Sequence, residues 1–300
     1  MYTAELTVVW KGKQEMSLKI VVDSGSDITP ETAEKLGITL IPMKVYFGDK
    51  EYLDKVTLTT EDFYAKLIES DTLPTTSQIS PYDYENVSRE LLSSCDEVLI
   101  LTISSRLSGC YQSACLAAGE FDGRVKVFDT LNVCVGEMLF VLEAVRMRDE
   151  GKSADEIVKS LTDDLKKVKL IAMLDTLEYL KKGGRINAAT AIAGSLLGIK
   201  PVITIYDGEV AVLGKARGSK NVYNKLVELI NASGEIDFSR PFRFVYSGTD
   251  PSLLNKYIND SLHLLPNSVD PFNPDYTTSI GCVIGTHVGP GAVGVAFFAR

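Results

Sequence analysis

The stretch Val98–Ala118, VLILTISSRLSGCYQSACLAA, decides the fold class. Five of its first six residues, Val98 to Ile103, are apolar, and no glycine or proline interrupts them. That is the pattern of a strand buried on both faces of a parallel sheet. The run ends at Ser104, Ser105, Arg106, Leu107, Ser108 and Gly109, and small and apolar residues then recur at helical spacing through Tyr111, Ala114, Cys115 and Ala118. A turn at the carboxyl end of a parallel strand lies where open α/β sheets bind ligands. The following helix aims unpaired N–H groups and its positive dipole end at the same point. Strand, hydroxyl-rich turn and helix therefore predict a site for a carboxylate or phosphate. The plainer alternative is that Ser104 or Ser108 only N-caps the helix.

Composition narrows the classes further. At 300 residues and 45% hydrophobic content the chain suits two modest domains or one large one. A formal charge of −9 argues against a nucleic-acid or anionic-membrane surface. The five cysteines form no C-x-x-C pair. Cys95, Cys110, Cys115 and Cys134 sit in apolar or helical contexts and are expected to be reduced packing residues of a cytoplasmic protein. With His263 and His287 as the only histidines, a metal site is not expected. The N-terminal MYTAELTVVWKGKQEM lacks a signal-peptide core, and Met16 is a second plausible start. Ile186–Ile199 is apolar over about half to two-thirds of a membrane span, so a buried helix is expected there and no stable membrane insertion.

Taken in order, the chain alternates strand and helix up to about residue 165. Ala4–Trp10 and Met16–Val22 read as strands. Thr29, Pro30 and Gly37 bracket a helix, Ile38–Phe47 is strand-like, and Leu73–Pro81 reads as a polar loop between helices. Ser153–Glu156 is a capping box. Beyond Val168 the grammar changes. Pro201–Ile205 and Glu209–Leu213 flank Tyr206–Asp207–Gly208, a hairpin signal that demands antiparallel pairing. The expected fold class is α/β, with an N-terminal parallel-sheet lobe over 1–165 and a C-terminal mixed α/β lobe over 166–300.

Several enzyme signatures fail on inspection. VVDSGSD (Val21–Asp27) is like an aspartic-protease half-site, but no second Asp-Ser/Thr-Gly supplies the partner carboxylate. Asp23 and Asp27 are read as loop-forming. Ser104 lacks the Gly-x-Ser-x-Gly elbow, and Gly214–Ser219 lacks the glycine spacing of a P-loop.

Seven strings, taken together, resemble the DegV family of bacterial fatty-acid-binding proteins. They are VVDSGSD, TSQISP (Thr76–Pro81), LTISSRLSGCYQSA (Leu101–Ala114), DTLEYLKKGGRI (Asp175–Ile186), Lys200–Pro201, GKARG (Gly214–Gly218) and HVGPGAVGVAF (His287–Phe297). The resemblance implies two α/β lobes holding a long-chain fatty acid as ligand and no cofactor, the carboxylate at a polar mouth and the tail in an apolar tunnel. It implies a non-enzymatic lipid-binding subunit of phospholipid metabolism, offering the acid to a separate fatty-acid kinase catalytic subunit similar to dihydroxyacetone kinases. By position, Thr76, Ser77, Ser104 and Ser105 would meet the carboxylate, Arg185 and His287 would lie at the mouth, and Arg217 would dock the kinase. The chain departs from the family pattern at Gly25, Ile79, Arg106 and Cys110. Arg106, where glycine is usual, either adds a cation at the mouth or points outward. Plainer roles remain for Arg185 as a helix C-cap and His287 as a structural histidine. Two other functions stay open: a hydrolase or acyltransferase using Ser104 or Ser105 with His287 as base, and a carrier of another acidic lipid.

Overall fold

The computed structural model describes residues 17–186, 199–217 and 219–300. The expectations placed on Ala4–Trp10 and on the Ile186–Ile199 helix lie outside the described residues, apart from the ends of the latter. β1 (Leu18–Asp23), β2 (Thr39–Ile41), β6 (Glu97–Thr102) and β7 (Val125–Asp129) form an all-parallel sheet in the order β2–β1–β6–β7. Val98 to Thr102 are all buried, as the unbroken apolar run requires. α1 (Pro30–Leu36) starts at a Thr29 cap and ends at Gly37 with φ 61°. Pro42 breaks the expected single strand after it. β2 stays in the parallel sheet, while β3 (Lys44–Phe47) leaves to pair with β4 (Lys50–Leu53) and β5 (Thr75–Ser77) in a small antiparallel sheet. Leu73–Pro81 is therefore not a loop throughout. Its Thr75–Ser77 segment is strand, because β3 offers a free edge that accepts it.

α2 (Thr60–Glu69), α3 (Pro81–Leu91), α4 (Cys110–Ala118), α5 (Val135–Asp149) and α6 (Ala154–Asp164) complete the first half. α6 carries the expected capping box from Ser153 and Glu156. The second half is a mixed six-stranded sheet built from β8 (Val168–Met173), β9 (Ile199–Tyr206), β10 (Glu209–Arg217), β11 (Phe242–Tyr246), β12 (Thr277–Ser279) and β13 (Val293–Phe298), in the order β10–β9–β8–β13–β11–β12. Its helices among the described residues are α7 (Glu178–Lys182), α8 (Ser219–Ala232), α9 (Ser252–Ser261) and α10 (Cys282–Val288).

Strand alternation divides the core in two. Leu170, Ala172, Ala296 and Phe298 join the large core shared with the parallel sheet, whereas Ile171, Met173, Val295 and Phe297 face a second core containing Leu226 and Leu254. α5 packs against β1 and β6 on one side and against β8, β11 and β13 on the other. Its residues Val135 to Val141 are all buried, Glu137 among six nonpolar residues, as in a helix sandwiched between layers.

α10 comes from the last part of the chain but is anchored in the first. The Gly281 N–H donates to Asp27 Oδ1 at 2.8 Å and the Cys282 N–H to Asp54 Oδ1 at 3.1 Å, while Tyr64 donates its hydroxyl to the Ile280 carbonyl at 3.1 Å. Lys55 Nζ lies 3.2 Å from Asp27 Oδ1, and both side chains are buried. Gly285 sits where a Cβ would come within 2.6 Å of the Phe63 ring. Lys55→Met removes the buried cation and leaves the carboxylates uncompensated. A loss of about 3–5 kcal/mol is expected in urea denaturation.

Candidate functional site

Between the parallel sheet and the six-stranded sheet lies a cavity enclosing about 850 Å³ of non-atom space, its open mouth included. Most of its wall is aliphatic. Ile203, Ile205 and Val210 come from the β9–β10 hairpin, Leu170 and Ala172 from β8, and Val283, Ile284 and Val288 from α10. The polar residues on the wall include Thr76, Ser77, Gln78, Ser108, Arg185 and His287. Arg185 is the single charged side chain among the described lining residues.

Each polar group is set in place by its own element. β5 pairs with β3 in the register Val45↔Thr76, which fixes Thr76 and Ser77 on a strand. Gln78 donates from Nε2 to Ser113 Oγ at 2.9 Å and lies over Gly109, where a Cβ would fall 1.8 Å from its Oε1. Gly109 is also the N-cap of α4 and supplies no side-chain cap, but Ser108 Oγ accepts the Cys110 N–H at 3.4 Å, so Ser108 fills part of the plain capping role at this helix start. Ser108 stands at the start of α4 with its hydroxyl 3.2 Å from Cys110 Sγ.

The two strings DTLEYLKKGGRI and HVGPGA interlock through their glycines. A Cβ on Gly183 would lie 2.3 Å from His287 Nδ1, and one on Gly289 would lie 2.4 Å from the Tyr179 ring. Gly184, at φ +70°, turns the chain so that Arg185 reverses onto it. Arg185 donates from Nη1 to the Gly183 carbonyl at 2.7 Å and from Nε to the Leu107 carbonyl at 3.2 Å. It spans from the KGGR turn to the turn after β6. His287 Nε2 is 3.0 Å from Thr76 Oγ1, whereas its Nδ1 is buried without a hydrogen-bond partner among the described residues. Burial, with the Arg185 charge adding to it, pushes His287 down to about 4, so the ring is neutral at pH 7.

The structure thus brings Thr76, Ser77, Arg185 and His287 to one cavity, although they span more than 200 positions of sequence. It does not bring Ser104 and Ser105 to the wall. The fully buried Ser104 donates its hydroxyl to the Gly208 carbonyl at 2.7 Å, and Ser105 is held by its N–H on Asp129 Oδ1 at 3.1 Å. In a turn that leaves β6, Ile103, Leu107 and Ser108 face the cavity while Ser104 faces away. Sequence reasoning missed Ser108 and Gln78 as wall residues; adjacency to the helix start was the signal for Ser108. Arg106 is exposed and off the wall, with its stem beside Gly208, which decides between its two expected placements. Arg217 ends β10 and is exposed. Asp23 accepts from the Gly25 and Ile103 N–H groups, a loop-forming role.

Comparison with known proteins gives one family. A family model described as "Uncharacterised protein, DegV family" matches residues 17–300. A DegV domain-containing protein of Caldanaerobacter subterraneus subsp. tengcongensis is 34% identical over 282 residues, covering 93% of this chain and 98% of the relative. Among solved structures, a DegV family protein from Thermus thermophilus described by its fatty acid binding superposes with TM-score 0.83 at 34% identity, over 95% of this chain and 100% of that one. A stearic acid-binding protein from Eubacterium ventriosum gives TM-score 0.81 at 26% identity, over 94% and 98% of the two chains. The α/β fold of parallel sheet plus mixed sheet is shared with them.

A histidine whose folded value falls below its unfolded 6.5 is protonated more readily in the unfolded chain. Stability tied to His287 is therefore complete above about pH 6.5 and lost as the pH falls toward 4. His287→Gln is expected to flatten stability over that window. An NMR titration of the His287 ring that centres near 6.5 instead contradicts the buried, neutral assignment.

Proposed function

This chain belongs to the DegV family, and from that premise we propose that it binds a long-chain fatty acid, with the acyl tail in the aliphatic cavity and the carboxylate at its polar end. The observation that carries the reading is a cavity whose described wall is mostly aliphatic and ends in hydroxyls, one amide, one neutral imidazole and one guanidinium. A tail gains about 0.8 kcal/mol per buried methylene. A carboxylate loses its hydration and needs several convergent donors to offset that cost. Thr76, Ser77 and Ser108 supply hydroxyls, and Arg185 supplies charge. A His287 ring protonated at Nε2 donates to Thr76 Oγ1 and frees the threonine proton for the ligand. In that tautomer the unpartnered Nδ1 is a bare lone pair, which is cheaper to bury than an unpaired N–H. The fatty-acid descriptions of the Thermus and Eubacterium proteins support the same ligand class.

We extend the proposal to presentation. The two lobes, divided near residue 165, enclose the tail and leave the head accessible to a separate kinase that phosphorylates it. Arg217, exposed at the end of β10, is assigned to the kinase contact. Ser104 and Ser105 shape the turn that carries Ser108.

Organic extraction and mass spectrometry of the purified chain are expected to recover a long-chain fatty acid near one per chain. A chain that is empty and also fails to take up added fatty acid refutes the reading. Ser108→Ala and Thr76→Ala are each expected to weaken fatty-acid affinity roughly threefold to tenfold. Arg217→Ala is expected to leave affinity unchanged and to lower acyl-phosphate formation in the presence of the kinase. Equal loss of lipid in all three variants rejects this division of roles.

A further inference from the structure

The β9–β10 hairpin is docked onto the first half of the chain at its tip. Asp207 and Gly208 take φ of 47° and 83°, the two positive values of a type I′ turn. The tip sits against the turn after β6. Ser104 Oγ donates to the Gly208 carbonyl at 2.7 Å, and a Cβ on Gly208 would lie 2.7 Å from that oxygen, 2.9 Å from Arg106 Cγ and 3.1 Å from Leu131 Cδ2. A glycine is therefore required twice over at this point, for its dihedral angles and for its lack of a side chain.

The docking surface is itself braced. Asp129 Oδ1 accepts the Ser105 N–H at 3.1 Å and the Leu131 N–H at 3.0 Å, tying the turns after β6 and β7 together. Leu131 is held at φ 46°, a conformation that a branched side chain rarely adopts. The Ser104 N–H donates to the Asn132 carbonyl at 2.8 Å. Strain at Leu131 is tolerated where the surroundings over-determine it. What it provides here is the apolar contact under Gly208.

The hairpin residues directly behind the tip face the cavity. Ile205 and Val210 are register partners across the hairpin, and both line the wall. On the opposite side Ile103 and Leu107, which bracket Ser104 in sequence, line it too. The hydrogen bond between Ser104 and Gly208 therefore joins wall residues of the hairpin, Ile205 and Val210, to wall residues of the turn after β6, Ile103 and Leu107. A long apolar ligand enclosed along its length enters and leaves only when some flank of the enclosure opens.

We infer that Ser104 is a latch: its hydroxyl, on the Gly208 carbonyl, holds the β9–β10 hairpin closed along the cavity and sets the rate at which a long-chain ligand exchanges. The inference rests on the fatty-acid reading for the identity of the ligand, though not for the docking geometry. It gives Ser104 a positioning role with no contact to the carboxylate. A latch changes how often the cavity opens. It scales entry and exit together and leaves the equilibrium nearly untouched, whereas a ligand contact acts on exit alone.

The test compares wild type, Ser104→Ala and Ser104→Thr as full-length chains. Stopped-flow fluorescence follows uptake of cis-parinaric acid and its transfer to phosphatidylcholine vesicles, and hydrogen exchange follows the amides of residues 204–211. In Ser104→Ala both the association and the dissociation rates are expected to rise roughly threefold to tenfold, with affinity within about twofold of wild type. Hairpin protection is expected to fall by a similar factor, and Ser104→Thr to restore both. A rise in dissociation alone, with affinity falling in step, makes Ser104 a ligand contact and overturns the latch. Unchanged rates and protection overturn it as well. If wild type takes up no parinaric acid, the fatty-acid reading fails separately, and hairpin protection alone decides: unchanged protection in Ser104→Ala rejects the latch.

Discussion

The polar end of the cavity depends on the anchoring of α10 by carboxylates from the other end of the sequence. Asp27 and Asp54 take the N–H groups of Gly281 and Cys282, with Lys55 between the chain's first turn and these acids. The first N–H groups of a helix have no internal partner, and negative groups are favoured there. Two side chains from the first half thus meet a demand that the helix itself creates. Because α10 carries His287 in its last turn, the same anchor sets the 3.0 Å approach of His287 to Thr76. The glycines at 183, 285 and 289 complete the fit, since each lies where a side chain would collide with a ring or with His287.

The electrostatics of that end follow from its dryness. Burial and the nearby Arg185 keep His287 neutral, so among the described residues a single guanidinium faces the cavity. A site with two or three fixed cations would bear a large desolvation cost when empty. Neutral hydroxyls cost far less to leave unliganded and still donate when an acid head arrives. One charge with several neutral donors therefore suits a site that must fill and empty. Arg185 is itself tied to the Gly183 and Leu107 carbonyls, so little of its side-chain freedom is left to lose on binding.

The sequence announced the strands and helices well, and for physical reasons. Val98–Ile103 is unbroken because both faces of β6 are buried, and Tyr206–Asp207–Gly208 names its own turn type. Thr29, Pro30, Gly37 and the Ser153–Glu156 box mark helix ends by local chemistry that needs no tertiary partner. What stayed hidden was tertiary. β5 is a strand only because the edge of β3 is there to pair with it. Which serine of 104, 105 and 108 faces the cavity depends on how the turn leaves β6 and on the arrival of a hairpin about a hundred residues later. A hydroxyl-rich turn is legible as a site, whereas the direction of each hydroxyl is not. Thr76, Ser77, Arg185 and His287 were reached through the resemblance of whole strings, since no spacing rule joins residues so far apart.

The same geometry bears on the rival reading, in which a hydroxyl acts as nucleophile. Such chemistry needs a base near its working pH, within reach of the hydroxyl and oriented by a third group. Ser104 is bonded to Gly208, and Ser108 lies beside the Cys110 thiol. Thr76 does meet His287, but that imidazole sits near 4 and its Nδ1 has no carboxylate to orient it or to stabilise an imidazolium. Moving a proton onto it next to Arg185 would place a second cation in a buried, apolar surrounding. A base weakened in this way by burial and a neighbouring charge is poorly suited to activate a threonine, whereas the same neutral ring is well suited to hold one. The pairing of Thr76 with His287 therefore favours retention of an acid head over its covalent capture.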